Sequence, residues 1–294
     1  MLIPDDEALD GLLKRLHLAY IRRNWRGVVT QAENDQWSYR DFLAILAGEE
    51  VAHRAQTGIG RRTHKAHFPF LKTIDEFNFT HQSTLRRVLL GSFLAPEFVP
   101  SGRSLVLQGK PGRGKTHLAI AIAYQAILHG YDALFTTAAE LIEELSVAAK
   151  EGRLHDVLKR YAAPAVLVID EVGYLTLRSD AANVLYHVVN RRYLKHKPIL
   201  FTTNKPLTAW GRVLHDPDLA AAILDRVLGN GRLIILDGPS VRTLDNPPTS
   251  PDGLAQSARV SGTSPAELTE PTACCRSWVV RARCNSVSMS ALVV

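Results

Sequence analysis

Residues Gly109, Lys110, Pro111, Gly112, Arg113, Gly114, Lys115 and Thr116 spell G-x-x-x-x-G-K-[ST]. They follow the apolar run Ser104–Gln108 and precede the helix-like His117–Ala123. That is a phosphate-binding loop in its strand–loop–helix setting. Its glycines let backbone N–H groups close around an anionic oligophosphate, and the next helix points its positive end at the same charge. Lys115 is expected to reach the β- and γ-phosphates, and the Thr116 hydroxyl to hold Mg²⁺. The loop with His117 is therefore the expected binding set for a nucleoside triphosphate. A second segment, Ala165–Ile169, is a short apolar run ending in Asp170-Glu171. Asp170 suits the Mg²⁺ shell, and Glu171 suits orienting and polarising an attacking water. An acid after the aspartate points to hydrolysis of the triphosphate beyond binding it.

The elements that position these residues alternate. Strands are predicted at 104–108, 133–136, 165–169 and 198–202, and helices at 115–129, 138–149 and about 180–196. Thr137 with Glu140 reads as a capping box that opens the second of those helices. Alternation of this kind predicts an α/β fold, a parallel sheet with helices on both faces. The strand at 198–202 runs into Thr203-Asn204. Asn204 can stand between a bound γ-phosphate and the attacking water, or equally be a turn residue before Lys205-Pro206.

Residues 1–95 read as a small all-α domain, 96–242 as the ATPase domain, and 243–294 as a disordered tail. In the first, Leu9, Leu12, Leu13 and Leu16 form a helical stripe over Glu7–Tyr20. Ser38 with Asp41 marks a helix start, and a third helix is predicted over Thr80–Leu94. The segment Val51–Lys72 holds Arg54, Arg61, Arg62, Lys65 and Lys72 and no acid. It reads either as a contact surface for DNA phosphates or as a solvated helix face. Arg191-Arg192 and Lys195-His196-Lys197 form a weaker basic cluster. The tail is rich in Pro, Ser, Thr and Ala without apolar periodicity.

Composition agrees with this plan. The 294 residues are 46% hydrophobic, enough for one large domain and a smaller one, and the formal charge of +6 is compatible with nucleic acid. Cys274, Cys275 and Cys284 lack zinc-site spacing. The start Met1–Glu7 is acidic where a secretory signal would be basic and then apolar. Leu118–Leu128 is too short to span a bilayer. The expected location is the cytoplasm, with no membrane partner.

Gly109–Ala119, Val168–Leu175 and Phe201–Asn204 resemble an AAA+ ATPase of the helicase-loader clade. Asn204–Gly211 with Leu219–Arg226, and His67–Phe79, are similar to the IstB-like helpers of insertion-sequence transposition. The likeness covers about residues 10–242. It implies an ATPase that assembles as a homo-oligomer on ATP, binds double-stranded DNA with little sequence preference, and works with a cognate DDE-type transposase. It further implies that Asn204 is the sensor 1 residue and that Arg226 is an arginine finger reaching the neighbouring subunit's γ-phosphate. Arg242 takes the place of the sensor 2 arginine. Read without the family, Arg226 beside Asp225 is commonly a surface ion pair, worth little. The alternative function is a DnaC-type loader of a replicative helicase, which shares the ATPase core. The 243–294 tail departs from the family pattern.

Overall fold

The computed structural model describes residues 5–81, 87–173 and 180–240. The tail assigned from sequence, and Arg242 with it, lie outside the described residues.

The chain opens with α1 (Asp6–Arg15), α2 (Ala19–Asn34) and α3 (Tyr39–Lys65). The single helix expected over Glu7–Tyr20 is two. His17 takes φ +54°. Around it the Leu18 N–H donates to the Leu13 carbonyl at 3.0 Å and the His17 N–H to that of Lys14 at 3.1 Å. Those two bonds satisfy carbonyls that the helix end would orphan, so α1 stops there. No side chain of α2 caps its own start. Instead Glu50 of α3 accepts from the Tyr20 and Ile21 amides at 2.8 and 3.1 Å. Burial pushes the Glu50 carboxyl up, but the hydrogen bonds from Arg54 and from those amides outweigh it and hold it below its ordinary range. Ser38 caps α3 as expected, accepting from the Asp41 amide at 3.1 Å. The helix then continues through the basic stretch to Lys65. A 3₁₀ turn at Phe79–His81 and α4 (Arg87–Leu94) stand where the third helix was expected, residues 82–86 not being described.

Next come β1 (Leu105–Gly109), α5 (Lys115–Leu128), β2 (Ala133–Thr137), α6 (Ala138–Lys150), α7 (Leu154–Ala162) and β3 (Val166–Val172). They are followed by α8 (Ala181–Leu194), β4 (Ile199–Thr203), α9 (Trp210–Val213), α10 (Pro217–Leu228) and β5 (Arg232–Leu236). The five strands form one sheet in the order β2-β3-β4-β1-β5. All four pairings are parallel. The capping box at Thr137 and Glu140 is present.

Successive residues of each strand serve opposite faces, as a pleat requires. On one face Val106, Leu134, Leu167, Ile169 and Phe201 pack against α6, α7, α8 and α10. On the other, Leu105, Leu107, Val166, Val168 and Leu200 pack against α5. Ala66, Ile74, Phe77, Leu90 and Phe93 lie in that second core too. Residues 66–77 and α4 thus close the layer over the phosphate-loop helix, and the Phe135 amide donates to the Ala66 carbonyl at 2.8 Å. Trp210 is fully buried, 5.6 Å edge-on from Phe201.

Two of the cations in the weaker basic cluster are structural. Arg192 is fully buried and donates to the carbonyls of Tyr161, Pro164, Ala165 and Pro198 at 2.8–2.9 Å. Burial pulls its pKa down to about 9. Lys197 donates to the Ala162 carbonyl at 3.0 Å and to that of Ala163. Together they satisfy the carbonyls at the end of α7, where cations also suit the helix dipole.

Candidate functional site

β1 delivers the chain into the loop at Gly109, and α5 leaves it at Lys115. Gly112 and Gly114 hold φ +78° and +81°, a region that costs other residues about 1–2 kcal/mol. Space forbids a side chain as well. A Cβ on Gly112 would sit 2.1 Å from Ser240 Oγ, and one on Gly114 2.7 Å from Phe77 Cε2. Gly114 brings no capping group to α5, so the first-turn N–H groups and the helix dipole face the loop interior. This is an anion cradle. Lys115 is buried there, its Nζ donating to the Lys110 carbonyl at 2.9 Å. Lys110 and Pro111 are exposed at the loop's crest. Arg113 turns away and donates to the Leu236 carbonyl at 2.9 Å, tying the loop to β5. The His117 ring also turns away. It sits edge-on to Phe77 at 5.3 Å, with Nε2 3.0 Å from the Thr73 carbonyl.

β3 brings the acids to the loop. Asp170 is buried and accepts from the Thr116 hydroxyl, 3.0 and 3.1 Å from its two oxygens. One hydroxyl and one carboxylate, both hard oxygen donors, at the mouth of a phosphate cradle are the protein ligands that Mg²⁺ takes when phosphates supply the rest. The residues present fit that ion. Glu171 is exposed and holds φ +62°. It lines a cavity of about 540 Å³ with Thr116, Asp170, Thr137, Glu140 and Tyr161. Burial, and then the neighbouring Glu144 carboxylate, raise the Tyr161 pKa, so the phenol keeps its proton and donates it to Glu144. Asn204 follows β4 directly. A side-chain turn holds it: the Thr203 hydroxyl donates to the Val172 carbonyl at 2.7 Å and accepts from the Lys205 amide at 3.1 Å. Asn204 Oδ1 is buried without a hydrogen-bond partner among the described residues.

Arg226 is placed elsewhere. It rides on α10, whose Ala220, Ile223 and Val227 pack on the face of the sheet opposite α5. It lines a second cavity with Ser104 and Ile199, at the ends where strands begin. Its guanidinium donates to Asn190 Oδ1, the Ala222 carbonyl and the Tyr186 hydroxyl, each at 3.0 Å, and lies 4.8 Å over the Tyr186 ring. It cannot serve its own phosphate loop.

The basic residues on α3 divide. Arg54 pairs with Glu50 at 2.8 Å and donates to the His17 carbonyl at 2.7 Å. Arg62 faces Asp132 of the β2 approach at 3.5 Å. Arg61 and Lys65 are exposed, and no ion pair of theirs is found among the described residues. Lys72 pairs with Glu76.

Sequence reasoning gave no role to Thr202, whose hydroxyl bonds the Asp170 carboxylate and the Glu171 amide, nor to the Thr73–Phe77 strap against the loop. Both segments lie within the family-like runs Phe201–Asn204 and His67–Phe79, but these contacts come from tertiary register, which the local sequence does not announce.

The model of the IstB-like ATP binding protein family matches residues 11–246. A Geobacillus stearothermophilus protein named for ATP binding in insertion sequence IS5376 is 37% identical over 80% of this chain and 94% of its own. A Pseudomonas aeruginosa protein named likewise for insertion sequence IS21 is 35% identical over 80% of this chain and 88% of its own. Among solved structures, the DnaC helicase loader is 26% identical and covers 51% of this chain and 87% of its own, with a TM-score of 0.42.

Proposed function

The chain belongs to the IstB-like ATP-binding protein family, and from that premise we propose that it is the ATP-hydrolysing helper of an insertion-sequence transposase, assembling as a homo-oligomer on double-stranded DNA in the cytoplasm. No helix among the described residues is long and apolar enough to cross a membrane.

In this reading the loop amides and Lys115 bind the oligophosphate of ATP, and Thr116 and Asp170 hold Mg²⁺. That ion, when bound, neutralises charge on the β- and γ-phosphates. Glu171 orients the attacking water and takes up its proton, and Asn204 holds that water in line. Transfer to water breaks the γ-phosphate bond and leaves ADP and phosphate. What supports assembly is the family likeness, which gives Arg226 the arginine-finger place. Since Arg226 lies away from its own phosphate loop, that role is open to it only toward a second copy.

Mixing two defective proteins tests this. Lys115→Ala supplies a good Arg226 and a dead loop, and Arg226→Ala the reverse. The mixture should hydrolyse ATP faster than either alone. Assembled mixtures that stay inactive would remove the trans role. Stimulation of strand transfer by a transposase from the same insertion sequence tests the partner. Loading of a replicative helicase in its place would support the DnaC-type alternative.

A further inference from the structure

We propose that Thr202 is the positioning residue that sets both acids of the hydrolytic site, through a side-chain bridge across a β-bulge. The inference rests on reading Asp170 as the metal residue and Glu171 as the water residue.

β3 and β4 pair in regular register from Leu167–Ile199 to Ile169–Phe201, and then the next pair is Val172 with Thr203. Two residues of β3, Asp170 and Glu171, thus stand opposite one residue of β4, Thr202. An inserted residue leaves ladder groups unpaired and bends the strand. Here the Thr202 side chain takes their place. Its Oγ1 accepts from the Glu171 amide at 3.0 Å. The same hydroxyl donates its proton to Asp170 Oδ1. Thr202 is 1% exposed, so both bonds are made without competing water.

The consequences for the two acids differ. Glu171 sits at φ +62°, which a residue with a Cβ adopts only when its surroundings hold it there. The bond from its amide to Thr202 is such a hold. It turns the Glu171 side chain out of the strand into the cavity that Thr116 and Asp170 also line. For Asp170 the Thr202 bond fixes one carboxylate oxygen, so the group is oriented before any metal arrives. The Thr116 hydroxyl can then leave Asp170 for the metal without freeing the carboxylate to rotate. Partners of metal ligands that act in this way change metal affinity or activity by about 10–100-fold when removed.

The test is Thr202→Val, which keeps shape and β-branching and deletes the hydroxyl, beside Thr202→Ser, which keeps the hydroxyl. Fluorescent nucleotide binding is titrated with Mg²⁺, and turnover is measured at saturating ATP. Thr202→Val should lower kcat by about 10–100-fold and raise the Mg²⁺ half-saturation of nucleotide binding at least about fivefold. KM for MgATP at saturating Mg²⁺, and nucleotide binding in EDTA, should stay within about threefold of the parent, since the cradle is untouched. Thr202→Ser should restore both shifted quantities. Parental turnover and Mg²⁺ requirement in Thr202→Val would overturn the proposal, as would a folded Thr202→Ser protein that shares the loss. Thr202→Ala carries the same readouts if Thr202→Val does not fold. Glu171→Gln, run in parallel, separates this failure from that of the underlying reading: normal hydrolysis by Glu171→Gln would sink the role of Glu171 itself.

Discussion

The salt dependence of DNA binding should report which cations of α3 are free. Sequence alone offers Arg54, Arg61, Arg62 and Lys65 as equals. In the structure the charge of Arg54 is matched by the buried Glu50, and its remaining reach is spent on the His17 carbonyl. Arg62 has Asp132 before it. Arg61 and Lys65 face solvent with no such partner among the described residues. Each phosphate contact contributes about 0.9 to the slope of log affinity against log salt. Neutralising Arg61 and Lys65 together should therefore flatten the slope by about 1.8, and neutralising all four should flatten it no further, whereas four equal contacts would give about 3.6 for the fourfold variant. Between 50 and 200 mM salt, a loss of about 1.8 in slope removes roughly twelvefold of the fall in affinity. Fluorescence anisotropy on several unrelated duplexes across that range measures it, and the change should be the same for every sequence. Arg54→Ala supplies the contrast. It should leave the slope alone and cost about 1 kcal/mol of stability, because Glu50 loses a charged donor at a half-exposed site. A slope that falls as far in Arg54→Ala as in Arg61→Ala would refute the division. An unchanged slope in the Arg61/Lys65 double variant would move the DNA surface off α3.

Two further outcomes follow from packing and titration. Glu50 titrates below its ordinary value of 4.5 in the folded chain, so the unfolded chain binds the proton more readily and the stabilisation is lost as pH falls through the folded value. Hydrogen exchange at the Tyr20 and Ile21 amides should speed up on that acid side. In Glu50→Ala, which removes the acceptor, those amides should already exchange fast at neutral pH and show little further acid response, and an unshifted profile would exclude Glu50 as the cap. A fragment beginning at residue 96 loses Ile74, Phe77, Leu90 and Phe93 from the second core. At about 1.5–3 kcal/mol for each buried side chain, an upper estimate, the loss of roughly 6–12 kcal/mol rivals the whole stability of a domain. That fragment should unfold or aggregate, while one beginning near residue 66 should give a cooperative melt. A stable fragment from residue 96 would show that the strap contributes little.

The site was legible where its chemistry is contiguous. The loop from Gly109 to Thr116 and the pair Asp170-Glu171 each complete a chemical task within a few residues, so residue type and spacing suffice. The sheet was legible because buried parallel strands are apolar throughout, as in Val166–Ile169. The edge strand β5 escaped notice because it is half-solvated, with Arg232 and Ile235 exposed. The break after α1 escaped because it depends on a histidine in a left-handed conformation, which no apolar stripe announces. The partners of the basic segment were hidden for two reasons. Glu50 lies one residue before its start, and Asp132 arrives from a distant element. The role of Thr202 was invisible in the sequence because it is created by register, opposite a bulge 31 residues away.

Trp210 gives the protein an optical handle on its own active centre. The indole is sealed from water and packs edge-on against Phe201, the residue before Thr202. Trp25 and Trp37 are only partly shielded. Once Trp25, Trp37 and Trp278 are replaced by phenylalanine, the remaining emission should be blue and poorly quenched by iodide. Any rearrangement of the β4 end during a catalytic cycle would then be recorded without a label, in the same cuvette that follows phosphate release.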